Sequence, residues 1–123
     1  MSDDGVTLVD VRSMPAAGAG GAGQAVRLAG RVDVRTVGTL RCLLHAAIDT
    51  GSGPLRVDVA GLELGDHAAL GVLLGGARRA RAAGRSMVLV DVPSALGRMF
   101  VADRLGRLLR FEETTDLVHV GHA

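Results

Sequence analysis

Apolar and polar positions alternate between two patterns along this chain, a short β-like one and a longer helical one. Residues 6–11 (VTLVDV) and 25–32 (AVRLAGRV) are β-rich and loosely alternating, with Val26, Leu28 and Val32 on one face, so both read as strands. Gly30 inside the second marks a bulge or a close backbone approach. Asp33 precedes a helical segment from about Arg35 to Thr50, in which Val37, Leu40, Leu44, Ala47 and Ile48 form one stripe. Cys42 and Ala46 lie on the opposite side of that wheel. Gly51-Ser52-Gly53-Pro54 ends the helix with turn chemistry. Leu55–Val59 then suits a central strand covered on both faces.

A loop over Gly61–Gly65, with Leu62 and Leu64 tucked inward, leads to Asp66. That aspartate is placed to cap a helix running to about Ala83, by accepting from the N–H of Ala68 or Ala69. Leu70, Leu73, Leu74, Ala77 and Ala80 form its inner stripe, and Gly84 suits the residue just past its end. Gly71, Gly75 and Gly76 each weaken the helix by about 1 kcal/mol against alanine, a cost that close approach to a neighbouring element would offset. Arg78, Arg79, Arg81 and Arg85 crowd the C-terminal end, where cations meet the negative pole of the macrodipole. Residues 86–92 read as a further strand. Pro93-Ser94 opens a third helix with Leu96, Met99 and Phe100 inward, and residues 105–111 end in a short apolar segment.

This order predicts an α/β domain: a mixed sheet of four to five strands with helices packed on it, the later strands joined by parallel, right-handed crossovers. The chain has 123 residues, enough for one domain spanning 1–123. Within it, residues 13–24 form a Gly/Ala-rich segment expected to be a flexible loop, and the tail 112–123 fits either a short helix or an edge strand.

Composition mostly removes functions. Apolar residues make up 48%, which supports a core, yet no apolar run approaches the roughly 20 residues that span a bilayer. The acidic start MSDDGVTLVD lacks the pattern of a secretory signal, so a cytoplasmic location without membrane insertion is expected. The single cysteine, Cys42, excludes an internal disulfide and a cysteine-based zinc site. All 14 basic residues are arginine and lysine is absent, a bias that a GC-rich genome explains. With a net charge of +1 and 2% aromatics there is neither a basic footprint nor a stacking platform, and no nucleic-acid partner is expected.

Catalytic constellations are missing too. Asp58 and Asp66 are separated by a strand end and a loop, and His45, His67, His119 and His122 show no metal-binding spacing on one helix. There is no GxSxG, and no GK[ST] follows the glycine clusters. The chain is expected to be no enzyme and to need neither metal nor cofactor.

Three blocks carry a resemblance. GRVDVRTVGTLRCLL resembles the GxxD-helix block of the STAS domain, the sulphate-transporter and anti-sigma-factor-antagonist family. RVDVAGLELGDHAALGVLLGGARRARAAG resembles that family's strand, D-S-S-G-L turn and following helix, and SMVLVDVPSALGRMFVADRLGRLLRF its closing strand and helix. Family members of this size are non-enzymatic switches. An unphosphorylated antagonist binds an anti-sigma factor, usually a serine kinase, and phosphorylation of the serine after the motif's aspartate ends the binding. A phosphoryl group there adds about −1.5 to −2 charge at the partner-facing turn.

Carried over by position, the resemblance assigns partner binding to Asp33, Asp66, His67, Ala68, Ala69 and Leu70. His67 stands where the phospho-acceptor serine belongs, Ala68 at the second serine and Ala69 at the glycine. Neither acceptor position carries a hydroxyl, so the usual serine switch is absent. An antagonist without phosphoregulation, a His67-based switch and neutral drift at His67 all fit. Small stand-alone members also resemble subunits of lipid-transport ATPase systems, which gives the alternative of an adaptor in another complex. The expected partner is an anti-sigma factor or related kinase-like protein, and a homodimer is compatible with the sequence.

Overall fold

A computed structural model describes residues 5–14, 23–102 and 109–113. Five strands and three helices follow in the order β1 (Thr7–Met14), β2 (Gly23–Val32), α1 (Val37–Asp49), β3 (Leu55–Leu64), α2 (Ala68–Ala82), β4 (Met87–Val90), α3 (Ser94–Ala102) and β5 (Arg110–Glu112). The strands form one mixed sheet in the order β1-β2-β3-β4-β5, with β1 antiparallel to β2 and the remaining neighbours parallel. This is the expected α/β architecture, at the five-strand end of the anticipated range.

The expected stripes build the core. Leu40, Leu44 and Ile48 of α1 and Leu70, Leu73, Leu74 and Ala80 of α2 are buried with Val26, Leu28, Leu55, Val57 and Leu89 of the sheet. Leu96 and Phe100 of α3 join them, and the Phe100 ring lies 5.4 Å from that of Phe111 in β5. Val37, Ala47, Ala77 and Met99 pack partly buried against this cluster. Gly76 is buried where α1 and α2 meet: a Cβ there would stand 2.5 Å from Leu44 Cδ2. Gly71 and Gly75 differ from the expectation, since a Cβ at either would meet nothing within 4 Å. They lie along the open groove between α1 and α2 rather than against a neighbour.

Four boundaries or placements depart from the sequence pattern. Strand β3 continues through the anticipated loop to Leu64, because its pairing with β2 shifts between Arg27 and Ala29 and then resumes from Gly61. Leu62 is buried and Leu64 partly so, on that strand extension. Ser13-Met14 and Gly23-Gln24 belong to β1 and β2, not to the Gly/Ala-rich connection. Among the described residues nothing covers the second face of β3 fully: Leu55, Val57 and Val59 are buried, whereas Arg56 and Asp58 lie half-buried on the face opposite the core.

Arg85 is the largest departure. The sequence groups it with Arg78, Arg79 and Arg81 at the C-terminal end of α2, but it is 5% exposed. Its guanidinium donates to Ala47 O and Ile48 O in the last turn of α1, to Ser52 O and Gly53 O beyond it, and to Gln24 Oε1 of β2. Burial lowers its pKa from the ordinary arginine value. Gly84, at φ +77, supplies the left-handed turn that directs the chain to this position.

Candidate functional site

Parallel strands β2 and β3 end at the same pole of the sheet, where their loops turn into α1 and α2. Ligands and partners of open α/β sheets commonly meet such carboxyl ends. Asp33 closes the first loop onto itself. Its Oδ1 accepts from Arg35 N at 2.8 Å, its carbonyl accepts from Val37 N at 2.8 Å, and its N–H donates to Thr36 Oγ1 at 3.0 Å. The Arg35 N–H chiefly, with the charges of Arg35 and Arg31, holds its carboxyl below the usual carboxylate value. Arg31 Nε lies 3.5 Å from Asp33 Oδ2.

Asp66 joins the two loops. One carboxylate oxygen accepts from Ala68 N at 2.8 Å, at the start of α2, and the other accepts from Val34 N at 3.1 Å, in the loop before α1. Gly65 N also donates to Val32 O at 2.8 Å. The expected capping bond of Asp66 to Ala68 is therefore present, although His67 occupies the position flanking the first helical residue. His67 makes no side-chain capping bond. Removing this carboxylate orphans two N–H groups. Asp66→Ala is expected to cost about 1–2 kcal/mol, the usual loss for a helix cap with an added loop contact. Thermal unfolding of the variant checks this, and an unchanged midpoint would contradict it.

The site residues separate into two groups. His67 is exposed, Asp66 and Asp33 are half-buried and Ala68 is half-buried beside the open groove. Ala69 and Leu70 face inward, at 0% and 8% exposure, so they anchor the turn and do not present it. Val34, which the sequence reading passed over, is 74% exposed at the same pole, beside the Asp66 bond. An apolar residue flanked by two charged ones, just ahead of a helical stripe it does not join, is the signal that could have found it.

From the turn, the groove between α1 and α2 runs past Val37, Arg41 and His45 on one side and Gly71, Gly75 and Arg79 on the other. Arg79 closes its far end with a two-bond pair to Asp49, at 2.9 and 2.6 Å. Asp58 does not join Asp66: it accepts from Ala60 N at 2.9 Å on the open sheet face. No group of three metal-ligating side chains occurs among the described residues, and His119 and His122 lie outside them. Cys42 is an exposed thiol. No helix among the described residues is long and apolar enough to cross a membrane.

Fold and pole together define a small domain of mixed α/β topology that presents a short loop-to-helix turn. The chain belongs to the STAS-domain family: the family model described as "Mlab, STAS domain" matches residues 16–110. Its fold is similar to the anti-sigma factor antagonist SpoIIAA in its unphosphorylated form, at TM-score 0.63 and 19% identity, covering 95% of this chain and 94% of that one. It is similar to an anti-sigma factor antagonist from Mycobacterium paratuberculosis at TM-score 0.67 and 18% identity, covering 98% and 96%. The phosphorylated form of the Bacillus protein SpoIIAA matches at TM-score 0.61 and 19% identity, covering 95% and 97%. Among curated protein sequences none matches. Domains of this fold are typically non-enzymatic binding modules.

Proposed function

We propose that this protein is a non-enzymatic binding module of the anti-sigma factor antagonist type, which engages a kinase-like anti-sigma factor and so regulates transcription. The contact surface is the turn at Asp66, His67 and Ala68 together with the loop at Asp33 and Val34. The observation that carries this reading is the Asp66 carboxylate, which binds Val34 N and Ala68 N at once and thereby fixes two exposed loops as one surface. A pre-organised surface loses less conformational entropy on binding. Ala69 and Leu70 hold it from below.

The surface carries no hydroxyl between Asp66 and Leu70, so a serine kinase finds no acceptor there. The module binds without phosphorylation control at this turn. Incubation with a serine kinase partner and ATP is expected to leave Asp66–Leu70 unmodified by peptide mass mapping, while the double substitution His67→Ser with Ala68→Ser regains phosphate and loses the partner. Phosphate mapped to His67 in the unaltered chain would overturn the loss of the switch. Purified chain used as bait in its native cytosol tests the partner class: recovery of a kinase-like anti-sigma factor, identified by mass spectrometry, supports the reading.

An adaptor subunit of another complex, such as a lipid-transport ATPase, is the second reading. A turn without acceptor hydroxyls suits a constitutive subunit equally well. Recovery of a transporter ATPase in the same experiment would select it.

A further inference from the structure

The sheet face opposite the core carries two rows of charge, set by strand register. In one row Asp10 of β1 pairs with Arg27 of β2, Arg27 with Asp58 of β3, Asp58 with Val90 of β4, and Val90 with Glu112 of β5. Two residues along each strand, the second row runs Arg12, Ala25, Arg56, Val88 and Arg110. The first row is acidic at three of five positions, with one arginine within it. The second holds three arginines and no acid. Successive same-face residues lie about 6.7 Å apart and neighbouring strands about 4.8 Å apart, so the rows form a compact two-sign grid.

Such a grid is its own complement. Place a two-fold axis in the plane of the face, midway between the rows and perpendicular to the strands. Rotation then sets each acidic-row residue above the second-row residue of the same strand in the other copy. Asp10 meets Arg12, Asp58 meets Arg56 and Glu112 meets Arg110, while Val90 falls above Val88, which its own chain leaves only 7% exposed. Each pairing occurs twice, as an isologous contact requires. Arg27 falls above Ala25, between Arg12 and Arg56 of the other copy; this is the one like-charge placement in the grid, and its own-row neighbours Asp10 and Asp58 offset it. We infer that this face is a self-association surface, and that its occupant is a second copy of this chain.

The ion pairs already on the face do not oppose this. Arg12 pairs with Asp10 at 2.8 Å, and Arg56 reaches across β4 to Glu112. All four side chains are about one-third or more exposed, so exchanging partners costs little. Stacked sheets sit about 10 Å apart and rotate about 30° relative to each other, which displaces outer pairs more than central ones. The pair least disturbed is on the middle strand β3, Asp58 with Arg56. The contact is mainly electrostatic, so it is weak and sensitive to salt.

Sedimentation velocity of the full chain, at low ionic strength over a concentration series, tests this. The unaltered protein is expected to dimerise, and added salt to dissociate it. Arg56→Glu and Asp58→Arg each set like charges together at both symmetry-related contacts and should weaken self-association at least tenfold. Mixed in equal amounts, the two variants restore opposite charges at both contacts, so a heterodimer should form. Asp10→Arg with Arg12→Glu, on exposed edge strand β1, repeats the cycle away from the Asp58 bond to Ala60. A monomer throughout the low-salt series, single variants that associate like the unaltered chain, or mixtures that stay monomeric in both cycles would each overturn the inference. His67→Glu, at the other surface, should leave the dimer unchanged.

Discussion

Arg85→Met should lose about 3 kcal/mol of stability, lowering the unfolding midpoint by roughly 10 °C for a domain of this size. The guanidinium uses all three of its nitrogens, four of its five bonds going to backbone carbonyls between Ala47 and Gly53. Two of those carbonyls belong to the final turn of α1, which has no further intrahelical donor for them and sits at the negative end of the helix dipole. Methionine fills much of the volume but donates nothing, so these acceptors are left dry and unpaired. Arg85→Lys should recover only part of the loss, since a point-like ammonium cannot reach five separate acceptors. Arg81→Met, on the exposed side of α2, is the control and should change stability by no more than about 0.5 kcal/mol. Thermal and urea unfolding measure all three, and an Arg85→Met protein as stable as the Arg81→Met one would refute the assignment.

Gly30→Ala should cost a similar amount, about 3 kcal/mol, for a backbone reason. Gly30 holds φ +126, a conformation that side chains rarely adopt. An added Cβ would stand 2.3 Å from Gly5 O and 2.9 Å from Val6 Cα. Both atoms are backbone, so no rotamer change relieves the clash. Val6 is itself 3% exposed and pins the approach to β1 in place. Gly84→Ala is the matched comparison: its φ is +77, but nothing lies within 4 Å of the added Cβ. It should show only the left-handed penalty of about 1–2 kcal/mol. Equal losses at the two glycines, by chemical unfolding, would show that the clash at Gly30 contributes nothing.

Periodicity carried most of the fold because each buried stripe answers to a single local rule. Leu40, Leu44 and Ile48 recur every four residues, and Leu55, Val57 and Val59 every two, and both sets lie in the core. The strand-helix alternation fixed the crossovers, and the cap at Asp66 followed from its position before a helical stripe. What escaped depends on residues distant in sequence. Arg85 read as one more arginine at a helix end, since nothing local shows that carbonyls from 47 to 53 converge on it. Gly61 and Gly65 suggested a loop, but a register shift against β2 lets the strand pass through the first of them. Of the three glycines in α2 only Gly76 meets a neighbour, a distinction that needs the position of Leu44. The candidate turn was legible as a set of residues, but not as two layers. Burial of Ala69 and Leu70 and exposure of Val34 appear only once α2 is docked.

The proposed partner surface is the Asp66–Ala68 turn, which carries no serine. Affinity for a kinase-like protein that the bait experiment recovers, measured by calorimetry with the unaltered chain and with His67→Glu, tests it most directly. Glutamate places a negative charge next to Asp66 at the start of α2, the position to which the resemblance assigns the phosphoryl group, and the domain itself tolerates it there. Folding should be unchanged and affinity reduced by about tenfold or more, equivalent to about 1.4 kcal/mol. Equal affinity for the folded variant and the unaltered chain would place the partner elsewhere and contradict it.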